Sequence, residues 1–267
     1  MSGLADTVFS LLGAGISRAR PLHGGDLSEV QLLELEDGRR AAAKTGPLAL
    51  REAAMLQAIR AAGAPAPEVL GAADGVLLLQ ALEETRASPA GWQALGRALQ
   101  HLHAAEGPRY GWPEDYAFGP VAIPNAPAGD WPAFWAARRL LAAPEALPRD
   151  LRLRVEALAA RLPELLPAAP AAVLLHGDLW TGNVLFSGPD AYLIDPACYY
   201  GHGEADLAML HLFGTPPAEF QAAYGAPEPG HEQRRLIYQL WPALVHLRLF
   251  GASYRGMAES RLDALGF

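Results

Sequence analysis

One stretch constrains this chain more than any other: LLHGDLWTGNVLF at residues 174–186, followed by YLIDPACYYGHGEADLAM at residues 192–209. Reduced to spacing, it reads H-G-D-x-x-x-x-N from His176 to Asn183, then a second aspartate, Asp195, behind a short apolar run. The apolar runs on either side read as strands, so the loop between them presents a carboxylate and an amide next to a second carboxylate. A lone D-x-x-x-x-N arises often by chance; the whole string with its flanking strands does not. A second feature points the same way. The chain has 21 Lys+Arg residues, and Lys44 alone among them is a lysine. A composition rich in Ala, Leu, Arg and Pro favours arginine at ordinary surface sites, so one retained lysine has a local reason. Lysine is a compact point charge on a flexible stem and arginine a planar fork, and the two do not interchange at a phosphate.

The spacing resembles the catalytic layout of the protein-kinase superfamily, with HGD standing where protein kinases carry HRD. Phosphoryl transfer needs a carboxylate to take the acceptor's hydroxyl proton. It also needs an amide and a second carboxylate to hold Mg²⁺ on the ATP phosphates. Asp178, Asn183 and Asp195 are those residue types in that order, so Asp178 is the expected catalytic base and Asn183 and Asp195 the expected Mg²⁺ ligands. Lys44 closes the strand-like run RRAAAK and is expected to aim at the ATP phosphates. Glu52, eight residues on in a helical stretch, is expected to hold it forward; a solvated helix glutamate is the alternative. His176 reads as a structural residue that bonds backbone around the loop, and Asp206 as a buried acceptor that clamps it. In the glycine-rich turn, Gly24, Gly25 and Ser28 are assigned to the nucleotide through their backbone N–H groups. The full G-x-G-x-x-G is absent there, and Asp26 is an acidic neighbour for phosphate, so an ordinary hairpin turn is the alternative.

Composition excludes several function classes. The formal net charge is −8, and no Lys/Arg run exists, which argues against a nucleic-acid partner. An acidic surface repels anionic membranes, and no segment reaches the roughly 18 apolar residues of a spanning helix. The short apolar run from Val8 to Ile16 lacks the basic flank of a signal peptide, so a cytoplasmic protein is expected. The single cysteine, Cys198, forbids an intrachain disulfide and reads as a small core residue. His101 and His103 lie two apart in a helical pattern, point to different faces, and read as ordinary helix residues.

Along the chain, the pattern predicts an α+β, two-lobed protein-kinase-like fold. Residues 1–82 form a small antiparallel-sheet N-lobe that binds nucleotide, and residues 83–267 a mainly helical C-lobe with the catalytic and substrate residues. In the first lobe a short helix is expected over 5–16, then a hairpin turning at Glu36-Asp37-Gly38, with Lys44 on its second strand. A helix follows over 48–62. The VLLLQALEE strand runs into a hinge near Gln80 to Glu84. Trp92, Leu95, Leu99 and Leu102 make an amphipathic stripe. Residues 107–130, rich in Pro, Gly and aromatics, read as a long ordered loop. Asp130 caps a helix with Pro132 in its first turn, and another helix covers 150–166. Val184–Phe186 and Ala191–Ile194 form a hairpin.

At the level of whole strings the chain resembles something narrower. HGDLWTGN, IDPACYYGHGEADLAM, FGTPPAEFQAAY, RRLIYQLWPALVHLRLFGASY and NAPAGDWPAFWAARRL together resemble the fructosamine kinase (ketosamine-3-kinase) family, whose fold is of the aminoglycoside-phosphotransferase type. The resemblance implies ATP-dependent, Mg²⁺-dependent phosphorylation of the 3-hydroxyl of a ketosamine, free or protein-bound. Ribulosamines and erythrulosamines are the favoured substrates and fructosamines a further one, with loss of the unstable phosphate freeing the amine. It carries the catalytic role to Asp178, the metal to Asn183 and Asp195, and the nucleotide-anchoring pair to Lys44 and Glu52. Trp180 in the DLW string is implied as a substrate-side aromatic, with core packing as the alternative, and His202 in YYGH as a residue bordering the acceptor pocket. Many members carry a cysteine in a GGCI-like string where GGDL places Asp26 here, so no phosphate-loop disulfide is expected. The sequence does not set the oligomeric state. Two other readings stay open: a kinase of the same fold acting on an aminoglycoside, a choline-like alcohol or a sugar, and a nucleotide-binding pseudokinase.

Overall fold

Apolar alternation builds the first part of the chain as a sheet. The computed structural model describes residues 2–22 and 29–267; Gly24, Gly25 and Ser28 lie outside the described residues. Helix α1 (Ser2–Leu12) precedes strands β1 (Ile16–Pro21), β2 (Glu29–Leu35) and β3 (Arg40–Thr45). Helix α2 (Ala49–Ala61) and strands β4 (Val69–Ala73) and β5 (Val76–Gln80) complete the unit. The strands run antiparallel in the order β1-β2-β3-β5-β4. The expected 5–16 helix starts and stops earlier, because Gly13 turns left-handed at φ 72° and releases Ile16 into β1.

Strand period decides which side each residue serves. Ala43 lies opposite Leu78, and both pack under α1 with Val8, Leu33, Leu35 and Val76. Lys44 lies opposite Leu77, on the other face, where α2 packs through Met55, Leu56 and Ile59. Glu52 belongs to that buried face of α2, so strand period and helix period bring Lys44 and Glu52 together.

Residues 81–88 connect the sheet to the helical part, and Thr85 N–H bonds Phe186 O at 2.8 Å. Helix α3 (Pro89–His103) begins where Ser88 Oγ accepts Gly91 N–H at 3.1 Å, with Pro89 in the first turn. Leu95, Leu99 and Leu102 are fully buried along one stripe. Each such burial stabilises by roughly 1.5–3 kcal/mol.

The expected long loop over 107–130 contains a hairpin, β6 (Tyr116–Phe118) and β7 (Val121–Ile123). Three-residue strands are too short to show a period in sequence. Helix α4 (Trp131–Trp135) is capped as expected, Asp130 Oδ1 accepting Ala133 N–H at 2.7 Å. It loosens into a π-helical turn over Ala136–Leu140 before α5 (Arg149–Leu165). Strand β8 (Val173–Leu175) leads to the HGD loop, and β9 (Val184–Ser187) pairs with β10 (Asp190–Leu193) beyond it. Strand β11 (Tyr199–Gly201) returns to pair with β8. Helices α6 (Glu204–Leu210), α7 (Ala218–Tyr224), α8 (His231–Phe250) and α9 (Arg255–Leu265) finish the chain. No helix among the described residues is long and apolar enough to cross a membrane.

Helices α3 and α7 meet at Gly96. A Cβ there would lie 2.7 Å from Phe220 O and 2.9 Å from Tyr224 N, both backbone atoms that cannot rotate away. We predict that Gly96→Ala destabilises the fold by about 1–3 kcal/mol, as overpacking does. Differential scanning calorimetry checks this, since each kcal/mol lowers Tm by roughly 2–4 °C at this chain size. An unchanged Tm means the two helices separate freely.

Candidate active site

The HGD loop leaves β8 through a turn only glycine can make. Gly177 sits at φ 81°, and a Cβ on it would lie 2.0 Å from Ala197 O. The loop's two leading N–H groups then find one carboxylate: His176 N donates to Asp206 Oδ2 at 2.7 Å and Gly177 N to Asp206 Oδ1 at 2.9 Å. His176 is fully buried, with Nε2 2.9 Å from Ile194 O and Nδ1 3.3 Å from Asp178 N. The carbonyl can only accept and the amide only donate, so the ring carries its proton on Nε2 and is neutral. Burial pushes its pKa down, in keeping with that form.

The loop delivers Asp178 and Asn183 to one place. Asn183 Nδ2 donates to Asp178 O at 2.8 Å and to Asp178 Oδ2 at 2.9 Å. Burial pushes the Asp178 carboxyl up to about 7, against the opposing effect of the Asn183 hydrogen bond. A carboxylate poised near neutrality suits a general base.

Lys44 reaches across from the sheet. Its Nζ lies 2.8 Å from Glu52 Oε1 and 2.8 Å from Asp195 Oδ1. Burial disfavours the ammonium, but the Glu52 and Asp195 charges outweigh it and hold the Lys44 pKa above its ordinary value. Asp195 has φ 54°, the one non-glycine in the left-handed region among the described residues. Aspartate tolerates that region better than most residues, and strain of this kind gathers at functional sites.

Asp178, Asn183, Lys44, Glu52 and Asp195 all line a cavity of about 550 Å³. Trp180 lines it too, 37% exposed, with its indole covering Gly182 so closely that a Cβ there would lie 2.3 Å from the ring. The donor set fits a nucleotide with a hard divalent ion. Among the described residues Asn183 Oδ1 and Asp195 Oδ2 have no hydrogen-bond partner, and such oxygens are the ligands Mg²⁺ prefers.

His202 is placed elsewhere. Its Nδ1 lies 2.8 Å from the Tyr238 hydroxyl, which also accepts Trp131 Nε1–H at 2.9 Å. It borders a second cavity, not the one around Asp178. The physical reason is β11: pairing with β8 carries the YYGH string away from the loop mouth. His103, read from sequence as an ordinary helix residue, is a partner of the loop anchor. Its Nε2 lies 3.2 Å from Asp206 Oδ2 and its Nδ1 2.9 Å from the Tyr224 hydroxyl. No local pattern could have shown this, since its partners lie over a hundred residues away. Phe213, His246, Phe250 and Tyr254 line the cavity beside Trp180 as well. The i, i+4 spacing of the last three was a usable signal.

Comparison with known proteins bears on this geometry. A family model described as fructosamine kinase matches residues 8–265. The chain belongs to the fructosamine kinase family. A Thermus thermophilus relative named "Probable ketoamine kinase" is 36% identical over 252 residues, covering 92% of this chain and 93% of its own. The crystal structure of a fructosamine-3-kinase candidate from Thermobifida fusca superposes with a TM-score of 0.90 at 31% identity, covering 99% of each chain. An aminoglycoside phosphotransferase, crystallised with AMP-PNP and hygromycin B, shares the fold alone. It superposes with a TM-score of 0.66 at 17% identity over 99% of this chain and 98% of its own. The α+β protein-kinase-like architecture expected from sequence is thus the architecture of this fructosamine kinase family member.

Burial holds His202 neutral, with its pKa pushed down to about 4. An unfolded histidine titrates near 6.5, so below that pH the unfolded chain takes up the proton first. Stability is therefore full above about 6.5 and falls as pH drops toward 4, by up to ~1.4 kcal/mol per unit from this residue. Urea unfolding at pH 7 and pH 5 checks this. The wild type is expected to lose more stability between the two than His202→Gln, and equal losses contradict the assignment.

Proposed function

We propose that this chain transfers the γ-phosphate of ATP to the 3-hydroxyl of a ketosamine, releasing ADP, and that elimination of inorganic phosphate and hydrolysis of the resulting sugar imine free the glycated amine. One observation carries the reading: a half-buried carboxylate with its pKa near neutrality, Asp178, shares a cavity with the Lys44–Glu52–Asp195 cluster. Asp178 orients the acceptor hydroxyl and takes its proton as the new P–O bond forms. Asn183 steers this step by holding Asp178 Oδ2, which fixes the carboxylate rotamer. Lys44 lies against the ATP phosphates, kept forward by Glu52. Mg²⁺, when bound, neutralises charge on the transferring phosphate, and Asn183 and Asp195 are the residues that would hold it.

The acceptor side follows from the cavity wall. Trp180 offers a flat, half-exposed indole, which suits the apolar face of a sugar adduct, and its N–H gives one directional bond. Residues 1–82 serve as the nucleotide-binding lobe and residues 83–267 as the catalytic and substrate lobe. Family membership supports a ketosamine acceptor, and the proposal takes ribulosamine or erythrulosamine before fructosamine, in a cytoplasmic repair role.

Purified protein given Mg²⁺-ATP with ribuloselysine or fructoselysine is expected to yield the 3-phosphate, identified by ³¹P NMR. Asp178→Asn should lower kcat by about 10²–10⁴-fold, the usual loss on removing a general base, with little change in KM for ATP. A parallel panel of aminoglycosides and choline decides the acceptor class. Turnover on a panel member with none on the ketosamines overturns the proposal, as does full activity in Asp178→Asn.

A further inference from the structure

Behind the HGD loop lies a second cavity, of about 470 Å³, lined by none of the residues that line the first. His202, Glu204 and Glu228 meet in its wall, and one ligand-type atom from each lies within 4.8 Å of the other two. We propose that these three residues form a site for a divalent metal ion of the Zn²⁺ class, separate from the nucleotide cavity.

The chemistry selects the ion. An imidazole with two carboxylates suits Zn²⁺ and its first-row neighbours, whereas Mg²⁺ prefers an all-oxygen shell. His202 is 8% exposed, its Nδ1 faces the Tyr238 hydroxyl, and among the described residues no protein group meets its Nε2. One ring nitrogen is thus oriented by a buried hydroxyl while the other is left for a ligand, the usual arrangement around a metal-bound histidine. Metal binding selects the Nδ1–H tautomer, in which Tyr238 accepts from both His202 and Trp131. Neutral imidazole is the ligating form, and burial keeps His202 neutral.

Glu204 is held from the other side. Arg234 Nε and an Arg234 terminal nitrogen each donate to one Glu204 oxygen at 2.6 Å. That fork uses one lone pair on each oxygen and leaves the other, so Glu204 is fixed in place without being saturated. Arg234 offsets the charge of Glu204, and Arg235 lines the same cavity. Glu228 comes from the segment between α7 and α8, which the ion would tie to the start of α6. Three protein ligands leave a fourth tetrahedral position for water.

The test uses the full chain, stripped with EDTA and dialysed against Zn²⁺ in the presence of millimolar Mg²⁺. Wild type is expected to take up one Zn²⁺ per chain and to gain Tm on binding. Co²⁺ should give the visible absorption of a tetrahedral site. Glu228→Gln, at an exposed position that leaves the core intact, should weaken Zn²⁺ binding by about tenfold or more and remove the Tm gain. His202→Gln should do the same, with circular dichroism confirming its fold. No uptake by wild type overturns the proposal, as does undiminished binding in either variant. Neither outcome touches the kinase reading, which is assayed at the other cavity.

Discussion

The carboxylate of Asp206 accepts the N–H groups of His176 and Gly177, and the rest of the loop geometry around Asp178 hangs on that pair of bonds. Both donors are buried at the point where β8 ends and no further strand partner exists. Left unmet, each would cost about 1–3 kcal/mol. With both met by one group on α6, the loop has one conformation, and Asp178 two residues on inherits it. His103 and Tyr224 extend the clamp to α3 and α7, so three helices hold one turn of backbone. The Lys44 cluster is organised by the same logic. A half-buried ammonium stands between two carboxylates on different parts of the chain, and the sheet and the helical part come together around it.

The buried charge of Arg139 is handled without an ion-pair partner. Arg139, 2% exposed, has no carboxylate in its shell among the described residues. Its guanidinium bonds Pro124 O, Arg138 O and Asn125 Oδ1 and lies 4.0 Å over the Tyr199 ring. Burial pushes its pKa down, yet a guanidinium's reference value is so high that it keeps its proton. The π-helical turn over Ala136–Leu140 is what aims it inward, toward the segment that follows the β6–β7 hairpin. That hairpin is a wall of the cavity around Asp178, so an irregularity in one helix braces that cavity from behind.

Sequence alone carried the parts governed by local period and spacing. Lys44 and Glu52 were legible because a strand of period 2 and a helix of period 3.6 each fix a face within a few residues. The β9–β10 hairpin and the Asp130 cap were legible for the same reason. The β6–β7 hairpin was not, since three residues per strand hold no period. His103 was not, because its role exists only once α3 meets α6 and α7. His202 was misplaced because nearness in sequence to a motif says nothing about which side of a strand pair a residue reaches. Family strings identified the kind of chemistry, but the return of β11 to β8 decided which side chains share its cavity.

The scarcity of lysine has a consequence for the protein's own durability. Reducing sugars attack side-chain amines, and this chain exposes almost none. Lys44 is its one ε-amino group, 14% exposed and locked between two carboxylates that keep it protonated and hence poorly nucleophilic. Of the chain's 21 cationic residues all but that one are arginines, which do not form ketosamines. Among reducing sugars, such a chain would therefore be a poor target for glycation at its own side chains.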